Sequence, residues 1–265
     1  MDILKKFNMS DCKPLTTPVE FGLKLSKYED SDLVNATLYR QLIGSLIYLT
    51  STRLDIAYAV SLVSRFMADP KIEHWKTAKR ILRYIRGTRD YGLQYKSTKF
   101  FKLIGYTDAD WAKNIDDRKS TYSFNFSLGI VIIAWRKKKQ PTVSLSTAEA
   151  EYKAATTTAC EAVWLRRILQ DLHEEQEGPT EIFCDNQSTI QMTKNPVLHG
   201  RTKHIELQHH FIRELFQKQE IELIYCNTEE QVADIFTKAL AKIKFCKFRE
   251  MLGIHPNCNY GGVLE

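Results

Sequence analysis

The stretch FFKLIGYTDADWA, residues 100–112, decides how this chain reads. Its apolar run stops at an acid, so Phe100–Thr107 predicts a strand that delivers the carboxylate of Asp108 at its end. Three further acids stand in different settings: Glu151 in STAEAEYKAA, Asp185 in EIFCDNQST and Asp234 in EQVADIFTK. Asp185 directly follows a second short apolar run, whereas Glu151 and Asp234 lie in helical patterns. Carboxylates drawn to one point from strand ends and helices repel one another unless a divalent cation sits between them. Hard oxygen donors of this kind select magnesium, with manganese as the alternative. Two such ions about 3.5–4 Å apart activate a water and stabilise the leaving oxygen in phosphodiester hydrolysis.

Around these acids the pattern is α/β. Thr121–Leu128 alternates through Tyr122, Phe124, Phe126 and Leu128, which predicts a half-buried strand. Gly129 turns it into the apolar run Ile130–Trp135, and the basic run 136–139 follows as a hairpin end or a phosphate contact. Ser146–Leu172 predicts a long helix with Tyr152, Ala155, Ala159 and Val163 on its buried side. Thr180–Cys184 predicts a strand, Ser188–Lys194 and Thr202–Lys218 helices, Ile221–Tyr225 a strand and Glu230–Ala239 a last helix. Three strands, a helix, a strand, helices, a strand and a helix describe a mixed sheet. Polar sites gather at strand ends in such sheets.

Upstream, residues 1–30 are punctuated by Pro14, Pro18 and Gly22 and read as a loop-rich connector. Residues 31–98 carry helical periodicity: a stripe at Leu38, Leu42, Leu46 and Leu49, another at Ala59, Val60, Val63, Phe66 and Met67, and a helix opening near Ile72. On that last helix Trp75, Ala78, Ile81, Leu82 and Ile85 fall on one side. Lys76, Lys79, Arg80, Arg83 and Arg86 fill the other, which suits either solvent or phosphate. The α/β pattern occupies 99–241, and 242–265 reads as a basic, then glycine-containing, tail.

With 265 residues, 43% hydrophobic and 26% charged, the chain buries a real core. The +6 balance, 38 basic against 32 acidic residues, mildly favours a polyanionic partner. Six scattered cysteines without a CxxC pair read as reduced thiols of an intracellular, cytoplasmic or nuclear, protein. No apolar run approaches the ~18 residues of a membrane span, and MDILKKFNMSDCKP lacks a signal-peptide core. No membrane and no small-molecule cofactor is expected.

GYTDADWA, DDRKST, KKQPTVSLSTAEAEY, AVWLRRIL, IFCDNQS, KNPVLHGRTKHIEL and EEQVADIFTKAL together resemble, in order, the ribonuclease H domain of copia-type retrotransposon Pol polyproteins. LKKFNMSDCKPLTTPVE and YRQLIGSLIYLTSTRLDIAYAVSLVSRFM resemble the segment after the polymerase palm in the same polyproteins, so the resemblance runs from Leu4 to Leu240. It implies the ribonuclease H-like fold, a five-stranded mixed sheet with helices on both faces, preceded here by a small mainly helical region. It also implies an Asp-Glu-Asp-Asp site holding two Mg²⁺: Asp108 on the first strand, Asp185 after the fourth, Asp234 on the final helix, and one glutamate. Glu149 and Glu151 are two apart, about 200° on a helix, so only one can face the metals. Periodicity leaves both open; the family's spacing fits Glu151-Tyr-Lys-Ala154.

The implied substrate is an RNA–DNA hybrid, gripped through phosphates and 2′-hydroxyls, with Arg118, Lys119, Lys138, Asn186 and His204 as candidate contacts. Asn186 and Ser188 could instead cap the next helix, and Asp110 reads either as sharing a face with Asp108 by strand alternation or as a solvated turn acid. His199, His204, His209 and His210 lack the cysteines or HExxH frame of a zinc site. Three departures stand out. Residues 225–230 carry no histidine; LGIVIIAW (128–135) lacks the family's extra glycines, which predicts altered packing of the second and third strands; and no Tyr-x-Asp-Asp polymerase motif is present. The chain therefore reads as the C-terminal part of a Pol polyprotein without its palm, either an excised domain or a reading frame left by a degraded element. An upstream reverse transcriptase is a candidate partner beside the hybrid. The rival readings are a catalytically silent nucleic-acid-binding remnant and an integrase-like strand-transfer enzyme, whose acidic trio would end in glutamate.

Overall fold

Periodicity in the first hundred residues resolves into helices. The computed structural model describes residues 3–28, 30–95, 101–112, 115–194 and 203–256, with side chains from 210 onward in the last stretch. Its elements are α1 (Ile3–Lys6), α2 (Ala36–Leu49), α3 (Ala57–Val63), α4 (Ile72–Gly87), β1 (Tyr91–Leu93), β2 (Leu103–Asp110), β3 (Thr121–Leu128) and β4 (Val131–Lys139). There follow α5 (Thr147–Asp171), β5 (Thr180–Cys184), α6 (Gln187–Lys194), α7 (Lys203–Gln217), β6 (Ile221–Tyr225), α8 (Asp234–Thr237), α9 (Lys242–Met251) and β7 (Ile254–Pro256). They fall into two units, Met1–Tyr95 with Ala239–Glu265, and Lys96–Lys238.

In the first unit α2 opens on Asn35, whose Oδ1 accepts from the Leu38 N–H, the usual cure for an orphan first-turn donor. It buries Tyr39, Leu42, Ile43 and Leu46. Helix α4 buries Ala78, Ile81, Leu82 and Ile85, the apolar side the wheel predicts. Its basic side is largely engaged by the N-terminal segment. Arg80 pairs with Glu20 and Thr17, Arg83 donates to the Lys13 carbonyl and Arg86 to the Ser10 carbonyl. Lys76 pairs with Glu73, and Lys79 lies over the Trp75 ring. These arginines tie down a connector that has almost no regular structure of its own, and that replaces the phosphate reading.

Residues 242–256 are not a tail. Helix α9 buries Phe245 and Phe248, and β7 pairs antiparallel with β1, Tyr91 opposite Pro256. Phe245, Phe248 and Leu252 recur at helical spacing, a signal hidden among four Lys and Arg residues between 242 and 249.

The second unit is built on a five-stranded sheet in the order β4-β3-β2-β5-β6. Strand β2 pairs antiparallel with β3, and β3 with β4; β2–β5 and β5–β6 are parallel. Parallel neighbours need crossovers, supplied by α5 between β4 and β5 and by α6 and α7 between β5 and β6. Helix α5 packs on β2, β3 and β5, and α8 on β2 and β3. They take opposite faces: Thr107 of β2 meets Thr158 of α5, whereas Asp108 meets Thr237 of α8, as strand alternation requires. Alanines 150, 154, 155, 159 and 162 of α5 are all fully buried, which lets the helix lie close to the sheet. Opposite Phe126, a side chain at Gly105 would put Cβ 2.6 Å from the phenyl ring, so glycine is required there.

Three sequence expectations change. Strand β2 runs on past Thr107 to Asp110, because Ser123, Tyr122 and Thr121 of β3 pair with its last three residues. The basic run 136–139 lies inside β4, on the sheet's edge, and not in a hairpin end. Helix α8 is a single turn that starts at Asp234, much shorter than 230–239. The second and third strands pair along their length with one register shift between Phe126 and Ser127. Gly129 at φ 62° makes the turn with no further glycine. Among the described residues no helix is long and apolar enough to cross a membrane.

Candidate active site

Strand β2, the central strand, sets the position of Asp108, which is fully buried on the α8 face. Two hydrogen bonds bring the turn before α8 against this strand and its neighbour β3. Gln231 Nε2 donates 2.9 Å to the Thr107 carbonyl, and Ser123 Oγ donates 3.0 Å to the Ala233 carbonyl. Asp234 is thereby delivered beside Asp108 although 126 positions separate them. Asp185 arrives by the parallel register of β5, one residue beyond the strand, and its Oδ2 accepts from Thr228 Oγ1 at 3.1 Å. One carboxylate oxygen from each of Asp108, Asp185 and Asp234 lies within 4.8 Å of the others. Glu151, on the second turn of α5, brings a carboxylate oxygen within the same distance of Asp185 and of Cys184 Sγ.

Glu149 is turned to a different task. The Ser146 hydroxyl accepts from its N–H, its Oε2 accepts from the Leu145 N–H at 3.0 Å, and its Oε1 pairs with Lys153 at 2.9 Å. This is close to the capping box that Ser146-Thr-Ala-Glu149 encodes. Replacing Glu149 with alanine should therefore cost about 1–2 kcal/mol in urea unfolding, as lost caps do. Any catalytic rate should stay within a few-fold of the parent.

The electrostatics follow from burial. Glu151 is 4% exposed and its Oε2 has no hydrogen-bond partner. Burial, then the charges of Asp108 and Asp185, hold its carboxyl well above the usual range. Asp185 is raised as well, first by burial and then by Asp108. Burial, and after it Glu151, pushes the Cys184 thiol well up. Lys238 is the local cation: its Nζ stands 3.0 Å from Asp108 Oδ1 and also bonds Asp234 Oδ1. Burial alone would lower its pKa, but the two aspartates outweigh that and raise it. Thr237 Oγ1 donates to Asp108 Oδ2.

An unpartnered, buried Glu151 oxygen beside three convergent carboxylates makes the donor set of an all-oxygen divalent-cation site. The residues fit magnesium or manganese. Asp108, Asp185 and Asp234 would share one part of it and Glu151 with Asp185 the other.

The expected substrate contacts are less concentrated. Asn186 caps α6, its Oδ1 accepting from the Thr189 N–H. Arg118 is exposed in the β2–β3 connection at φ 54°, and the Lys119 N–H donates to Asp117 there. Lys138 registers with Tyr122, hence on the α5 face, while Lys137 registers with Ser123 and shares the face of Asp108. His199 and the side chains of His204 and His209 lie outside the described residues. Asp110 closes β2 on the face of Asp108. Lys238, Thr237 and Thr228 were not singled out by the sequence; the i, i+4 spacing of Asp234 and Lys238 is the one local signal for the first of them.

The sheet order and the acid cluster define a ribonuclease H-like domain. No protein-family model matches the chain. It is 42% identical over 262 residues to the retrovirus-related Pol polyprotein from transposon TNT 1-94 of Nicotiana tabacum, covering 96% of this chain and 20% of that protein. To the corresponding polyprotein from transposon RE2 of Arabidopsis thaliana it is 39% identical over 268 residues, covering 100% and 18%. Over nearly its whole length the chain is homologous to retrovirus-related Pol polyproteins from plant transposons, and it spans about a fifth of the length of these relatives. Among solved structures it overlaps LC11-RNase H1, isolated from compost, at 14% identity and a TM-score of 0.39, over 51% of this chain and 92% of that one. The fold assignment rests on the strand order and not on that overlap.

Proposed function

We propose that the second unit is a metal-dependent endonuclease that cleaves the RNA strand of RNA–DNA hybrids, as the ribonuclease H portion of a copia-type Pol polyprotein. The observation that supports it best is the meeting of Asp108, Asp185 and Asp234 within 4.8 Å, with Glu151 joined to them through Asp185. When bound there, a pair of Mg²⁺ ions lowers the pKa of the attacking water and offsets charge on the departing 3′ oxygen. Asp108, Glu151, Asp185 and Asp234 supply the ligand oxygens. Thr237 and Thr228 aim two of those carboxylates through their hydroxyls. No imidazole stands in residues 225–230, so protons leave through solvent or a substrate phosphate and not through a histidine of that loop.

Hybrid recognition on this reading is a phosphate and 2′-hydroxyl affair. Arg118, Lys119, Lys138 and His204 are its proposed contacts, and Asn186 acts by holding the start of α6 behind Asp185. The partner is the hybrid together with an upstream polymerase portion, and the setting is the cytoplasm or nucleus. The test is cleavage of an end-labelled RNA–DNA hybrid by the full chain with and without Mg²⁺, beside Asp185→Asn. Magnesium-dependent nicking of the RNA strand, lost in the variant, is expected. Binding without nicking by the parent would make the domain a silent nucleic-acid-binding remnant. Joining products on duplex DNA would make it a strand-transfer enzyme.

A further inference from the structure

Lys238 stands where a divalent ion would have to stand. Its ammonium bonds Asp108 Oδ1 at 3.0 Å and Asp234 Oδ1, two oxygens from the cluster that a metal needs. Its side chain is 24% exposed, whereas those of Asp108 and Asp234 are 0% and 1%. The lysine is thus the one member of the trio with a way out to solvent. Its backbone is placed for this: α8 ends at Thr237, Lys238 is extended at φ −125° and ψ 147°, and its N–H closes the turn on the Asp234 carbonyl. The i, i+4 spacing then folds the side chain back over its own helix turn onto Asp234.

Three carboxylates this close in a buried setting cannot all stay ionised without a counter-charge. One ammonium supplies a single positive charge through a flexible stem; a divalent ion supplies two and binds the same oxygens. Both cannot hold Asp108 Oδ1 and Asp234 Oδ1 at once. On the nuclease reading above, we infer that Lys238 is a positioning residue: it holds Asp108 and Asp234 together in the metal-free protein and is exchanged for the divalent cation, which sets the metal concentration the site requires.

The experiment is Mn²⁺ binding by the full chain, followed by the electron paramagnetic resonance of free Mn²⁺, together with melting in EDTA and in Mn²⁺. The proteins are the parent, Lys238→Met and Lys238→Arg. Lys238→Met should bind Mn²⁺ about tenfold more tightly, a conservative figure for removing one competing charge at contact. It should also melt several degrees lower in EDTA and recover more than the parent when Mn²⁺ is added. Lys238→Arg keeps the charge and should keep the parent's weaker binding. A merely structural lysine would lower both stability and metal affinity. Unchanged or weaker Mn²⁺ binding by a Lys238→Met protein that still melts cooperatively overturns the inference and leaves the nuclease reading standing. Absence of Mn²⁺ binding in all three proteins overturns both.

Discussion

Exchanging Glu151 for glutamine should silence cleavage of the hybrid and make the metal-free protein more stable. The loss should be on the order of a thousandfold in rate, about 4 kcal/mol of transition-state stabilisation, because an amide neither carries the charge nor replaces the second oxygen toward a cation. The gain has a separate cause. Glu151 is buried, its Oε2 is unpartnered, and the charges of Asp108 and Asp185 bear on it. An orphaned buried polar atom costs about 1–3 kcal/mol, and glutamine removes the charge at nearly constant shape.

The pH dependence carries the same sign. Glu151 and Asp185 both hold their protons more tightly folded than unfolded. Their contribution to stability is therefore fully present below the ordinary carboxylate range near about 4 and is lost as pH rises through the raised folded values. In EDTA the parent should melt progressively lower from mildly acidic to neutral pH. That slope should shrink in Glu151→Gln and in the parent with Mg²⁺. A variant that melts below the parent at neutral pH in EDTA would mean that Glu151 is held by contacts other than those described.

Strand and helix identity was legible wherever one face meets the core. Residues 221–225 alternate in burial, and β6 occupies those bounds. Residues 121–128 alternate polar with apolar and β3 occupies those bounds, but Thr121, Ser123 and Asn125 are buried as well, so it is not the half-buried strand expected. The long helix was legible for the same reason, with Ser146 as its cap. The reading failed where tertiary pairing overrides local chemistry. Asp108-Ala-Asp110 looks like a strand end because it is acidic, yet it is paired by β3. Lys137, Lys138 and Lys139 look like a loop because they are charged, yet they form an edge strand, where such residues discourage further pairing. Within the site, the acids that meet in the fold stand in recognisable settings, but helical periodicity left Glu149 and Glu151 open and only the family's spacing favoured Glu151. The Ser146–Glu149 contact shows what Glu149 does instead. Lys238 could not be read so easily, since its role exists only once Asp108, 130 positions away, is folded against it.

Asp55→Ala should be the most damaging single change in the first unit, at about 3–5 kcal/mol, the cost of breaking a buried ion pair from one side. Asp55 is 1% exposed and Arg53 6%. The guanidinium holds both carboxylate oxygens, Nε to Oδ1 at 3.0 Å and Nη2 to Oδ2 at 2.7 Å. The same group donates to the carbonyl and hydroxyl of Thr88, which caps the end of α4. Tyr84 of α4 donates its hydroxyl to Asp55 Oδ2. One carboxylate therefore ties the turn at 54–56 to the side chains of α4. Without it a guanidinium and a phenol stay buried with their main acceptor gone. The double change Arg53→Met with Asp55→Leu should cost less than Asp55→Ala alone, because it removes the stranded charge as well as its partner. Urea unfolding of the three proteins decides the matter. If the single and double variants were equally destabilised, the penalty would come from lost packing around the turn and not from an uncompensated charge.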